Sequence, residues 1–341
     1  MHENISNDYF TYNLGRYEDG EIDWYSVNNS YHSNGEKPSI VALDDGVVLT
    51  VYISDTTDRL TYNLDEYKDG RLTAISSVSS NPHEEMAVNR SVTVMDDGGI
   101  LISQESASGE LYYVVGTYNG GRTLEWFDRS WTKYADGNNP SLTVLDDGQL
   151  VNVYEDQTSN NIYYQLGEFE EGVINWSDKP IHYSVGENPS VTVLDNGHIA
   201  AVREEDGLLY YDVGEYTDGK IDWNIEIPIE IPELKYLNID EVDPDNNYAW
   251  GEDSAITVLQ NGLVLAVKDR LGDLGFQLGE YLDGKMYWTR PVDFEKGHNP
   301  SLTTSWDGTV IVTYHQTGFP QHRLYYQTVR VPNVGEISAL F

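Results

Sequence analysis

Short runs of alternating apolar and polar residues recur along the chain in two patterns that take turns. The first is seen in "KPSIVALDDG" (37–46), "NRSVTVMDDG" (89–98), "NPSLTVLDDG" (139–148), "NPSVTVLDNG" (188–197), "DSAITVLQNG" (253–262) and "NPSLTTSWDG" (299–308). Each run is rich in β-branched residues, ends on Asp-Gly or a close equivalent, and leads into another apolar run such as "QLVNVYE" or "TVIVTYH". This predicts a strand, a tight turn with a positive φ, and a second strand. The second pattern is "YNLGRYEDGEIDW" (12–24), repeated in "YYQLGEFEEGVINW" (163–176), "YYDVGEYTDGKIDW" (210–223) and "GFQLGEYLDGKMYW" (275–288). Looser copies are "YYVVGTYNGGRTLEW" (112–126) and "YNLDEYKDGRLTA" (62–74), with Ala74 in place of the Trp, and "LYYQTVRV" (324–331) is a partial one. It also predicts a hairpin.

An aromatic-x-x-Gly link joins second to first patterns: Tyr134 with Gly137, Tyr183 with Gly186, Tyr248 with Gly251 and Phe294 with Gly297, with Tyr31 and Gly35 one residue longer. A unit of about 50 residues thus holds four short antiparallel strands, whose sheet can bury its faces only against its neighbours. The predicted fold is all-β: one β-propeller domain over residues 1–341, built of four-stranded antiparallel blades. Six full copies of the first pattern argue for six blades, with seven as the alternative. The extra N-terminal half-unit (9–24) is expected beside the C-terminal strands, where it removes two open sheet edges. The hairpin glycines Gly46, Gly98, Gly148, Gly197, Gly262 and Gly308 keep a near-regular spacing except between Gly197 and Gly262, which locates an insertion at about 224–247. Such an insertion either carries function or braces an interface.

Composition changes this picture in two ways. The formal net charge is -37, from 20 basic and 57 acidic residues, which disfavours nucleic acid and anionic membranes as partners. Solubility or salt tolerance is the plain reading of that surface; calcium or a cationic partner is the sharper one. There is no Cys, so no disulfide and no Cys-ligated metal. No membrane-spanning stretch and no signal-peptide pattern stand in the sequence, and a secreted or cell-surface setting is the expectation.

The second pattern resembles a degenerate Asp-box, the hairpin of sialidase-type propellers. Asp19-Gly20 with Trp24, Asp218-Gly219 with Trp223 and Asp283-Gly284 with Trp288 match its core, while its leading Ser and the Thr before Trp are missing. The whole unit also resembles the repeats of bacterial propeller lectins of the Photorhabdus type. These are scaffold residues, and they imply that Trp24, Trp126, Trp176, Trp223 and Trp288 pack within blades. The Asp-Asp-Gly turns lack the alternating carboxylates of an EF-hand loop.

Function has to come from positions the scaffold leaves variable. At the end of each blade's second strand stand Tyr52 and Ile53, Gln104 and Glu105, Tyr154 and Glu155, Arg203 and Glu204, Lys268 and Asp269, Tyr314 and His315. Equivalent positions share one end of a propeller, so these form a ring of polar and aromatic groups suited to sugars. Trp131, Trp250 and Trp306, in or near the links, add aromatic faces. The main reading is a non-enzymatic lectin with several weak sites that bind glycans or glycoconjugates by avidity. The alternatives are a sialidase-like glycoside hydrolase and a protein-docking disc, whose insertion could pair with a partner strand. A sialidase needs three substrate-binding Arg, as the resemblance implies, and only Arg203 and Arg90 are candidates; other glycosidases need two carboxylates at a set separation. No cofactor is required; calcium is an option, and His315 with His322 are spaced as a marginal metal pair.

Overall fold

The computed structural model describes residues 9–18, 21–24, 31–34, 36–43, 46–54, 59–68, 71–79, 87–128, 130–194, 196–205, 208–223, 252–282, 285–305 and 309–316. They form six antiparallel sheets, one per unit of the repeat, arranged as a propeller. Blade one consists of Glu36–Ala42, Val47–Ser54, Arg59–Lys68 and Arg71–Ser79, in that order across the sheet. Blade two begins with Ala87–Val94, Gly99–Ser106 and Glu110–Thr117, and blade three with Asn138–Val144, Leu150–Glu155 and Asn161–Glu170. Blade four runs Glu187–Val193, Ile199–Glu205, Leu208–Thr217, Lys220–Asp222. Blade five starts Glu252–Val258, Val264–Asp269, Asp273–Leu282. Blade six takes His298–Thr304 and Thr309–Gln316 from one end of the chain and Tyr9–Glu18 and Glu21–Trp24 from the other.

The hairpins follow from their turn residues. Gly46, Gly98, Gly148, Gly197 and Gly262 all have φ between 73° and 85°, a region only glycine enters without a steric cost. Ahead of four of them an Asp or Asn side chain accepts the backbone N–H of the residue after the glycine, as from Gly99 to Asp97 at 2.9 Å. These carbonyl and carboxylate oxygens therefore close turns. In the second pattern, Glu171-Gly172 and Asp218-Gly219 both have positive φ, the type I′ geometry that matches strand twist. Residues 283 and 284, and the whole insertion at 224–247, lie outside the described residues.

The core is divided among the joints between blades. Side chains at alternate positions of each second strand face the preceding and following blades. Val47, Leu49 and Val51 of blade one pack on Val92, Ile100 and Ile102 of blade two, and Val151 and Val153 of blade three on Val191, Ile199 and Ala201 of blade four. The ring closes where Tyr12, Leu14 and Ile311 of blade six meet Ile40 and Val48 of blade one. Within that last blade Leu14 pairs with Ile311 and Tyr12 with Thr313, so the N-terminal strand fills the place expected for it.

A relay of serines ties the innermost strands together. Ser39 Oγ accepts the N–H of Val92 at 3.2 Å, Ser91 that of Leu142 at 3.0 Å, Ser141 that of Val191 at 3.1 Å, Ser190 that of Ile256 at 3.3 Å and Ser301 that of Ile40 at 3.2 Å. The joint between blades five and six lacks this bond, because the sequence has Ala255 where the other blades have Ser.

The aromatic links also have a structural cause. Tyr134 stacks on Trp176 with ring centroids 4.7 Å apart, and Tyr183 on Trp223 at 4.4 Å. Burial pushes the hydroxyls of both tyrosines well above the ordinary tyrosine range. A Cβ on the link glycine Gly137 would lie 2.5 Å from Tyr154 Cδ2 and 2.6 Å from the Glu155 carbonyl oxygen, so only glycine fits there. Trp288 is 1% exposed, and Trp126, Trp176 and Trp223 pack against the joint clusters, which agrees with their expected packing role.

Candidate functional site

Each first strand carries a bulge close to its start, for example between Asn138 and Ser141 and between Glu187 and Ser190. In every blade but the second the residue at the bulge is left-handed: φ is 48° at Lys37 and Asn139, 50° at Asn188 and Asn299, and 37° at Asp253. Asn and Asp tolerate that conformation better than most residues. Their side chains turn inward around the channel mouth and bond one another. Lys37 Nζ donates to Asn89 Oδ1 at 2.8 Å, Asn139 Nδ2 to Asn188 Oδ1 at 3.0 Å and Asn299 Nδ2 to Asp253 Oδ2 at 2.6 Å, and Asn89 also donates to Asn139.

The paired residues at the second-strand ends divide by parity. The first of each pair faces the preceding blade and is buried: Tyr52 and Tyr154 at 2% exposure, Gln104 at 6%, Lys268 and Tyr314 at 0%. Arg203 faces the same way and is held by Asp212 and Glu205, each at 2.8 Å, and by the Val185 carbonyl oxygen; its guanidinium lies 4.9 Å from the Tyr210 ring centre. The second of each pair faces the following blade at the mouth. Glu105, Glu155, Glu204 and Asp269 from blades two to five, with His315 from blade six and Ile53 from blade one, therefore share one end of the disc. Trp131 is buried between blades one and two, and Trp250, Trp306 and His322 lie outside the described residues.

The carboxylates of the mouth differ in what they are bonded to. Glu105 Oε2 accepts from Asn89 Nδ2 at 2.9 Å and from the Asn139 N–H at 3.0 Å, while Asn138 directs its amide nitrogen to Oε1 at 3.3 Å. Both oxygens are engaged, so Glu105 is a tie between blades two and three. Glu155 repeats half of this: Asn139 Nδ2 at 2.7 Å and the Asn188 N–H both donate to Oε1. Its Oε2 has no such partner among the described residues, because the residue in blade four equivalent to Asn138 is Glu187. Glu187 is exposed, and it brings a second carboxylate to the joint where the preceding joint has an amide. Burial raises the proton affinity of Glu155 most; its two hydrogen bonds oppose this, and the charges of Glu187 and Glu105 add to it.

Asp269 is engaged differently, with His298 Nδ1 at 2.7 Å and the Gly272 N–H at 2.7 Å on its two oxygens. Glu204 Oε2 accepts from Asn188 Nδ2 at 3.3 Å. Near Glu187 lie the half-exposed Val185, from a strand paired to blade three, and Leu208 and Tyr210 of blade four, beside Arg203. The site is thus a carboxyl pair on the joint between blades three and four, next to an aromatic and guanidinium surface. Glu187 was not among the residues singled out from the sequence. Its signal was there, as the one non-scaffold change between "GNNPS" (137–141) and "GENPS" (186–190).

No family model and no curated protein sequence matches the chain, so the resemblance to the propeller-lectin family has no support from that side. Similar solved structures include an α-L-arabinofuranosidase from Fusarium graminearum in complex with an iminosugar inhibitor. It is 14% identical with a TM-score of 0.55, over 83% of this chain and 92% of that one. A Penicillium chrysogenum α-L-arabinanase complexed with arabinobiose is 13% identical with a TM-score of 0.54, over 91% of this chain and 98% of that one. A protein described as a 6-phosphogluconolactonase, from Bacteroides uniformis, is 14% identical with a TM-score of 0.55, over 89% of this chain and 87% of that one. At such identities the likeness establishes the propeller fold. The expectation of a non-enzymatic lectin is corrected here, because the structures found include an α-L-arabinofuranosidase and an α-L-arabinanase, which are enzymes.

Proposed function

We propose that the protein is a glycoside hydrolase whose acid and base are the carboxyls of Glu155 and Glu187. The observation that carries this is the asymmetry of Glu155: one oxygen is fixed by two donors, and the other is left for a substrate in a carboxyl that burial keeps prone to protonation. A general acid needs both properties, a fixed position and a proton retained near the working pH. Glu155 donates its proton to the glycosidic oxygen as the bond to the anomeric carbon breaks. Glu187, exposed and on the next blade, takes the complementary part as base toward water or as nucleophile; the separation of the two carboxyls in the loaded enzyme decides which. Tyr210 offers an aromatic face to a neighbouring sugar ring, with Arg203 fixed beside it.

Two of the similar propellers are named for arabinose-containing substrates, which makes α-L-arabinofuranosides the first compounds to try. The test is hydrolysis of a panel of nitrophenyl glycosides and of arabinan by the purified protein. Turnover that disappears in both Glu155→Gln and Glu187→Gln, with the fold intact by circular dichroism, is the expected result. Binding of the same sugars without turnover in the parent protein would overturn the proposal.

A further inference from the structure

Blade two departs from the repeat on the channel axis. Where blades one, three, four and six have Pro38, Pro140, Pro189 and Pro300, it has Arg90. The Arg90 side chain is 8% exposed, and none of Nε, Nη1 and Nη2 has a hydrogen-bond partner among the described residues. Leaving a buried guanidinium uncompensated is among the costlier arrangements in a protein interior, and such charges are ordinarily paired. Its burial lowers the proton affinity to a pKa of about 9, with no neighbouring carboxylate contributing. It is still a cation at neutral pH.

Arg90 borders two chambers on the axis. The one at the mouth, of about 120 Å³, is lined by the bulge residues Lys37, Asn89, Asn139, Asn188, Asp253 and Asn299. The one beneath it, of about 180 Å³, is lined by the serines of the inter-blade relay. Among the described residues around that lower chamber, Arg90 is the one charged side chain. Ser39 and Ser91 accept backbone N–H groups through Oγ and keep their own hydroxyl protons for donation, and Ser254 Oγ has no partner among the described residues. A single positive charge, a circle of hydroxyl donors and no carboxylate make a site for an anion. The volume suits a small one, and the single charge suits a monoanion.

We infer that the lower chamber of the axial channel binds a halide-sized monoanion against the Arg90 guanidinium, in a molecule whose outer surface is strongly acidic. The bound ion compensates the buried cation and ties blade two to the serines across the axis. It lies off the Glu155 and Glu187 pair, so it does not depend on the hydrolase reading.

The experiment uses the full chain in two measurements. Thermal unfolding is followed at constant ionic strength while sodium gluconate, whose anion is too bulky for the chamber, is exchanged for sodium bromide. A ligand that binds only the folded state at a hundredfold excess over its dissociation constant raises the midpoint of a chain this size by about 4 °C. That rise is expected in the parent protein and absent in Arg90→Met. Crystals grown in bromide should show an anomalous peak beside the Arg90 guanidinium. Equal midpoints in the two salts, an equal rise in Arg90→Met, or water alone in the chamber would overturn the inference. So would a bromide peak with no thermal effect, which would mean an adventitious ion only. Should Arg90→Met fail to fold, the anion series and the diffraction on the parent protein decide.

Discussion

Asn139 on the first strand of blade three donates its side-chain amide to Glu155 Oε1 on the second strand, at 2.7 Å. With the Asn188 N–H on the same oxygen, the carboxyl is held from its own blade and from the next. Glu155→Gln should lower kcat/KM on the best glycoside by about 10²- to 10⁴-fold, the usual contribution of a positioned general acid. Steady-state kinetics on the variant check this, with the thermal midpoint as the control for folding.

The pH dependence of stability has a definite sign. The folded state binds the Glu155 proton more tightly than the unfolded chain does, chiefly through burial. The stability this contributes is full at low pH and is lost as pH rises through the raised folded-state value. Gln cannot ionise, so Glu155→Gln should match the parent protein in acid and exceed it in thermal midpoint as pH climbs toward neutrality. Melting curves across the range from about pH 4 to about pH 8 test it. Parallel curves for the two proteins would contradict the assignment.

Trp223 stacks on Tyr183 at 4.4 Å and meets Tyr164 edge-on at 6.2 Å, on the joint that carries the site. Trp223→Ala should cost about 3 kcal/mol of stability. Turnover measured well below the lowered midpoint should remain within a few-fold of the parent, because the indole packs the blades and touches no carboxyl of the mouth. Urea titration and kinetics at low temperature separate the two effects.

Ala255 interrupts the serine relay at one joint of six. Ala255→Ser offers an acceptor to the Leu302 N–H, as Ser301 does to Ile40, and should add about 0.5–1 kcal/mol. The reverse change, Ser141→Ala, removes the acceptor of Val191 N–H and should cost at least as much. Calorimetry of both variants reads the pair of opposite shifts.

Gly137→Ala forces a methyl group into Tyr154 and into the Glu155 carbonyl oxygen. Both shift, so this variant should lose stability and activity together, by about 2 kcal/mol or more in stability. Its thermal midpoint and its kcat distinguish it from Trp223→Ala, which should affect only the first.

The repeat was plain in the sequence because every blade solves one packing problem with the same hairpins. The four-stranded unit, the turn glycines, the packing tryptophans and the shared last blade all follow from that. The chemistry was harder to see for two reasons. Strand parity sends Tyr52, Tyr154, Lys268 and Tyr314 into the joints behind them and Glu105, Glu155, Asp269 and His315 toward the mouth, where they too are buried, so a ring read as exposed pairs missed which side each member faces. The asparagines of the "NPS" phrase looked like scaffold, yet their left-handed φ values turn them into the lining of the mouth. Against that background Glu187 and Arg90 stand out as departures from a repeated template, and they carry the two proposals made for the molecule.

The pairing of Tyr12 with Thr313 joins two strands that the other five blades separate in sequence. During synthesis the strand Tyr9–Glu18 is made early, but its partner Thr309–Gln316 follows only after all the other blades. Until then the nascent molecule is an open arc with an unpaired strand edge, and closing it brings together strands separated by every other blade. Folding of the last blade should therefore be slow and come after the other blades have formed, and the interval before closure is when this protein is most exposed to edge-to-edge association with another copy.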